Sequence, residues 1–411
     1  MVRLPQAHVV TFKARLAAIK RMRGFVSWGE SSAFAYELAS LLAELEASIS
    51  DPRTGAELVA AFYEMDDVIF NHCDDSNGRI GDVFRHDARN LFVHYASRCA
   101  DKQWLGDLIL RLNRNDGFGL RDSLFDCAAD YLPEETMRGL IGSLWALADR
   151  EANEYQKRHW LRGIESFARQ LRDAPLFEQA QLAAWPTLCT AARVDIAEVY
   201  LKSGDAPTAL SWLERIPASE TFQADKRDRL LLAIHEQLGN RGKQEEAAWR
   251  IFRRYRCEDT LSTLLRVIGD DQRERVIDEE ARGMLQSEGL SYSDTTFLIS
   301  GGRMDDAEAY LLARAGQLDG YFYDCLLPLA EDMERDRRFR MASVIYRALL
   351  ESILSRAQSK YYHHGVRYLK KLEALAGKVD TWLTVQPHQT YMDELRQAHR
   401  RKSSFWSRYN A

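Results

Sequence analysis

Residues 194–216 carry the pattern Ala197-x2-Tyr200-x3-Gly204-x4-Ala209-x3-Leu213, and no other stretch narrows the fold as far. Small or apolar residues three and four apart line one face of a helix, while Gly204 followed by Asp205 ends one helix and begins the next. Two short helices joined this way have apolar faces that they cannot cover themselves. The unit must therefore stack on copies of itself, which is the logic of a helical-repeat array.

The copies can be counted. Gly242-x4-Ala247-x3-Ile251 has Leu238 in the place of Tyr200, and Gly302-x4-Ala307-x3-Leu311 has Leu298 there. A fourth, Ala330-x2-Met333-x3-Arg337-x4-Ala342-x3-Tyr346, lacks the glycine. The small residues Ala209, Ala247, Ala307 and Ala342 stand 38, 60 and 35 positions apart, so the middle gap has room for one degenerate repeat. Such spacings suit a tetratricopeptide-like helix pair of roughly 34 residues.

Nearer the N-terminus the units are longer. The loop Cys73-Asp74-Asp75-Ser76-Asn77-Gly78-Arg79-Ile80-Gly81-Asp82 resembles Asn113-Arg114-Asn115-Asp116-Gly117-Phe118-Gly119-Leu120-Arg121-Asp122, and each precedes an apolar helix. Aligning Asp82 with Asp122 gives an offset of 40, closer to HEAT-type repeats. The expected fold is thus all-α, an α-solenoid of stacked helix pairs, HEAT-like in its N-terminal part and tetratricopeptide-like in its C-terminal part. Its expected regions are 1–150, a helical connection at 151–190 interrupted at Asp173-Ala174-Pro175 and Trp185-Pro186, repeats at 191–376, and a basic capping segment at 377–411.

The strings Asp51-Pro52-Arg53-Thr54-Gly55, Gly81-Asp82-Val83 and Asp116-Gly117-Phe118-Gly119, with the Cys73 loop, resemble an uncharacterised family of bacterial helical proteins. Tyr361-Tyr362-His363-His364-Gly365-Val366-Arg367-Tyr368-Leu369, with Tyr391 and residues 395–406, is similar to the end of that family. The same segment resembles the part that follows the zinc finger in some bacterial SWIM-domain proteins. That finger needs a C-x-C pair and a later C-x-H, and this sequence has neither, so the resemblance implies no zinc and no DNA binding. It implies a helical fold and no activity.

A net charge of -5 argues against a nucleic-acid surface spread over the whole protein. The six cysteines are dispersed with no close pair, which excludes a zinc ribbon and favours reduced thiols. No apolar run is long enough for a membrane span, and the N-terminus has no secretory pattern, so a cytoplasmic location is expected. Up to Gly29 the chain has Arg3, Lys13, Arg15, Lys20, Arg21 and Arg23 but no acid. A helix there packs on the array by one face, or else lies on an acidic partner or a membrane surface.

Enzyme signatures fail at definite positions. His235-Glu236-x2-Gly239 has glycine where a zincin needs its second histidine, and 239–244 lacks the first glycine and the hydroxyl of a P-loop. The Asp74 loop offers Cys73 and Phe84 where a calcium loop needs carboxylates, so an inter-helix turn is expected, with Asn77 or Gly78 left-handed and Asp82 capping the next helix. His363, His364, His388 and His399 gather in the last fifth without matching acids, and adjacent helical histidines diverge. No catalytic residue, metal or cofactor is therefore assigned.

One exposed candidate remains. A last helix from Thr390 has no acid beyond Glu394, and Arg396, Arg400, Arg401, Lys402 and Arg408 accumulate beside Phe405, Trp406 and Tyr409. Cations interleaved with aromatics suit single-stranded nucleic acid or an acidic protein surface. They equally suit a capping helix whose aromatics close the array. The function expected is a non-catalytic scaffold for a protein or peptide partner, with nucleic-acid binding through this helix as the alternative.

Overall fold

The computed structural model describes residues 5–411, with side chains from His8 onward, so Arg3 of the basic N-terminal stretch lies outside the described residues. Among those residues the chain is all-α from Pro5–Ile19 to Ser403–Asn410, and the only strand-like contact is an isolated bridge between Val26 and Cys73. Helices pack in neighbouring pairs within two compact units, Met1–Leu230 and Leu231–Ala411, which divide inside the helix Ala224–Gln237. No helix of the described residues is long and apolar enough to cross a membrane.

One local device joins five of the pairs. A residue with left-handed φ ends the first helix and its successor takes the N-cap position of the second: Arg172 with Asp173, Gly204 with Asp205, Gly239 with Asn240, Gly302 with Arg303, Arg337 with Arg338. The capping residue's N–H returns to a carbonyl five positions back in every case. The bonds are Asp173 to Ala168 (2.9 Å), Asp205 to Tyr200 (3.0 Å), Asn240 to His235 (2.9 Å), Arg303 to Leu298 (2.8 Å) and Arg338 to Met333 (2.7 Å). This is a Schellman turn, which satisfies carbonyls that a helix end would otherwise leave orphaned. Asp173, Asp205 and Asn240 add a side-chain cap, accepting from the N–H groups of Leu176, Thr208 and Lys243.

The turn fixes which side chains meet. The fourth residue after the cap position is fully buried in four copies: Phe177, Ala209, Ala307 and Ala342. At the Gly239 turn that position is Gln244, half-exposed, and burial is displaced by three residues to Ala247 and Ala248. The turn glycine of this copy is therefore Gly239 and not Gly242, which lies inside the helix Arg241–Arg254, and the residue equivalent to Tyr200 is His235 and not Leu238. Positions three apart share a helix face, so apolar spacing alone cannot separate the two registers. The copy that lacks glycine makes the same turn, with Arg337 at φ 61. The middle gap holds the pair Glu258–Ile268 and Arg273–Gln286, broken at Gly269 with φ 110.

The first unit opens with Pro5–Ile19, which buries Phe12 and Leu16 while Arg15 pairs with Glu44, so it packs by one face. The second helix, Trp28–Ser48, begins at a capping box formed by Ser27 and Glu30. In the two similar loops an aspartate organises the turn. Asp75 accepts from the N–H groups of Ile80 and Gly81, with Gly78 left-handed at φ 74. Asp116 accepts from those of Phe118, Gly119, Leu120, Arg121 and Asp122, with Gly119 at φ 68. Asp75 rather than Asp82 is thus the capping carboxylate. The two determinants lie 41 positions apart, one more than the offset from Asp82 to Asp122. After the first loop the helix runs through a π turn, Val83–Ala88, where the Phe84 carbonyl takes a 2.8 Å bond from the Tyr63 hydroxyl.

Candidate functional site

The C-terminal candidate comprises two helices, His388–Ala398 and Ser403–Asn410, rather than one continuous helix, and Arg400, Arg401 and Lys402 fall in the break between them. Phe405 is fully buried, 5.6 Å from Tyr362 and edge-on to it, and a Cβ on Gly365 would lie 3.1 Å from its ring. Trp406 is half-buried and donates its indole N–H to the His399 carbonyl at 3.0 Å. Arg396 lies 5.9 Å from the Trp406 ring. Arg400 and Arg401 are exposed, and Lys402 is half-buried with its carbonyl accepting from the Phe405 and Trp406 amides. Base stacking needs an open aromatic face, and Phe405 offers none.

The histidines do not converge as a group. His363 and His364 stack with centroids 4.0 Å apart instead of diverging, because His363 Nδ1 turns back to the Lys360 carbonyl at 2.9 Å. His399 faces Glu351 at 3.3 Å. Among the described residues no group of three or more His, Cys, Asp or Glu side chains could hold a metal ion. In the Asp74 loop the Asp75 oxygens are already engaged by backbone N–H groups, and the Asp74 carboxylate accepts from Ser76. The near-misses at 235–244 fall on and just after the Gly239 turn, whose left-handed conformation accounts for the glycine at 239.

In the first unit a polar cleft of about 230 Å³ lies between Asp122, Asp126, Arg162 and Glu165. Burial pushes the Glu165 carboxyl up to about 7 against the opposing pull of Arg169 and Arg162. Nearby, Asp66 and Arg121 form an ion pair with almost no exposure, and Arg121 also donates to the Leu112 carbonyl. Sequence reading passes over both features. An isolated Asp and an Arg 55 positions apart carry no local sign that they meet.

The larger opening is a groove of about 710 Å³ in the second unit. Its floor is the helix Phe339–Ser355, and one wall is the loop at Gly320, which only glycine allows to press so close: a Cβ there would lie 2.2 Å from the Ala348 carbonyl oxygen. That loop presents Tyr321, Phe322 and Tyr323 with 64%, 51% and 56% of their surfaces exposed. Thr384 and Val385, from the connection 377–387, form the other wall. Arg347 also lines the groove, although it is only 8% exposed. Its Nη1 donates to the Gln386 carbonyl at 2.7 Å, while Nε and Nη2 have no hydrogen-bond partner among the described residues. The Trp382 and Tyr391 rings lie 4.9 and 4.4 Å from its Cζ, and burial lowers its pKa below the ordinary arginine value. The aromatic run after Gly320 was visible in the sequence; nothing in the run Ser343–Arg347 marks Arg347 as buried.

The sequence matches the model of a "Family of unknown function (DUF6880)" over residues 3–408. No curated protein matches it. Among solved structures it is similar to a "Circular tandem repeat protein with novel repeat topology and enhanced subunit contact surfaces", at 13% identity over 98% of this chain and 91% of that chain, with a TM-score of 0.17. A superposition that weak carries no weight, and the helical-repeat fold stands on the helix pairs and their shared turn. With a family model that spans nearly its whole length, the chain belongs to DUF6880, a family of unknown function.

Proposed function

We propose that this protein is a non-catalytic helical-repeat scaffold that binds a protein or peptide partner. The observation that carries this reading is the groove of the second unit, beside which three consecutive aromatic side chains stand largely in solvent. Large aromatics are costly to leave exposed in a row and are enriched where proteins meet. A cytoplasmic setting accords with six free, unpaired cysteines. Capture of the full-length protein from its own cells, with nuclease added, tests the reading: a stoichiometric protein should remain bound. Its loss from a Tyr321→Ala variant supports the groove, which Tyr321 lines, and no stoichiometric protein under gentle conditions contradicts the proposal.

A second reading has its own observation. Arg400 and Arg401 are exposed and, among the described residues, form no ion pair with a carboxylate. If they contact phosphate, replacing Arg400, Arg401 and Lys402 with alanine removes the salt-dependence of about three counterions from single-stranded DNA binding. We expect instead that the parent binds DNA weakly and that the triple variant is unchanged, because the rest of the chain is acidic. Titration with labelled single-stranded DNA at two salt concentrations decides. Tight, salt-sensitive binding that the variant loses favours the nucleic-acid reading.

A further inference from the structure

We propose that the groove takes an acidic segment of a partner polypeptide, one of whose side-chain carboxylates pairs with Arg347; this deepens the scaffold reading and rests on it. The two nitrogens of Arg347 without partners, Nε and Nη2, form one edge of the guanidinium, with parallel N–H bonds. That edge matches the two oxygens of a carboxylate in a bidentate pair. A guanidinium stays charged when buried, and an unpaired buried charge is strongly disfavoured. Among the described residues no carboxylate of this chain comes within ion-pair distance of it, so the site has a cation and donor geometry, and lacks the counter-anion.

The other charges of the groove fit the same ligand. Glu351 faces His399 Nε2 at 3.3 Å, and Asp319 accepts from the Tyr321 amide at 2.9 Å, so both acids of the lining are already engaged. Arg356, at the open end, donates only to the Ser352 carbonyl and lies 5.3 Å from the Tyr321 ring. A segment laid along the groove can thus set one acid on Arg347, another near Arg356, and apolar atoms against Tyr321. Nε and Nη2 are closed off from water, so the ligand must displace part of the 377–387 wall. That wall is non-helical, and Leu383 holds φ 47 with 71% of its side chain exposed, while the 2.7 Å bond from Arg347 to the Gln386 carbonyl is the contact the ligand must replace.

The test uses the full-length chain and a fluorescein-labelled hexaglutamate peptide with an amidated C-terminus, followed by fluorescence anisotropy. The parent should bind it at least tenfold more tightly than the matching hexaglutamine peptide. Arg347→Met should abolish that preference while the chain stays folded, since removal of an unpaired buried charge offsets the loss of the 2.7 Å bond to the Gln386 carbonyl. Arg347→Lys, which keeps the charge but loses the paired edge, should also weaken binding. Arg356→Ala, at an exposed position, should weaken binding less and serves as a variant that folds. Equal affinity for the two peptides, or undiminished glutamate binding by Arg347→Met, overturns the proposal. Displacement of the peptide by inorganic phosphate at concentrations where acetate is inert overturns the assignment of a carboxylate. A stoichiometric partner that Arg347→Met still captures leaves the scaffold reading standing and removes this one.

Discussion

Asp66→Ala should lower the stability of the first unit by about 3–5 kcal/mol, because it leaves the buried guanidinium of Arg121 without its counter-charge. Arg121 Nε donates to Asp66 Oδ2 at 2.8 Å, and the two side chains are 3% and 0% exposed, so water cannot replace the carboxylate. The same pair ties the helix Asp66–Asn71 to the loop organised by Asp116, and its loss reaches both. The double variant Asp66→Leu/Arg121→Met removes both charges together and should recover most of the loss. Urea denaturation of the single and double variants checks this. A single variant as stable as the parent would show that the pair contributes nothing.

Ala307→Glu should cost about 3 kcal/mol or more, and Ala209→Glu a similar amount, since each forces a carboxylate into a helix contact with no open space. Both alanines are fully buried at the fourth position after a Schellman turn. The turn at Gly239 provides the control. Its fourth position is Gln244, half-exposed, so Gln244→Glu should stay within about 0.5 kcal/mol, while Ala247→Glu should be as damaging as Ala307→Glu. Thermal melts of the four variants measure the pattern. If Gln244→Glu were as harmful as Ala307→Glu, the register assigned to that copy would be wrong.

These residues show what the sequence made legible. Helix pairs could be read wherever a glycine, a cap and a small buried residue fall in fixed order, as at Gly204, Asp205 and Ala209 or at Gly302 and Ala307. Two turns have arginine in the left-handed position, Arg172 at φ 56 and Arg337 at φ 61; the first escaped the repeat count, and the second was found through its apolar spacing alone. The first was still detectable, since Asp173-Ala174-Pro175 repeats Asp205-Ala206-Pro207, and in both the aspartate is an N-cap followed by proline in the first turn. The shift at Gly242 arose because an apolar face repeats every three or four residues, so a one-turn slip leaves the hydrophobic pattern nearly unchanged.

The groove was less legible, for a different reason. Arg347 reads as an ordinary helical cation until the connection 377–387, more than 30 positions on, closes over it. In the C-terminal stretch composition puts cations and aromatics side by side, but the helix break at His399–Lys402 turns Phe405 inward and leaves Arg400 and Arg401 outside. Sequence proximity there brought Arg396 to the Trp406 ring but not the other cations to Phe405.

The repeated left-handed turn is the organising feature of the fold, and one matched pair of melting curves tests it most directly. Gly239 has φ 67, and a side chain there is strained whatever the space around it, whereas Gly242 sits in the first turn of a helix, where an added Cβ would meet nothing within 4 Å. Gly239→Ala should therefore lose about 1 kcal/mol, and Gly242→Ala should be neutral or gain up to about 1 kcal/mol. A stable Gly239→Ala beside a destabilised Gly242→Ala would contradict the turn and the helix pairing built on it.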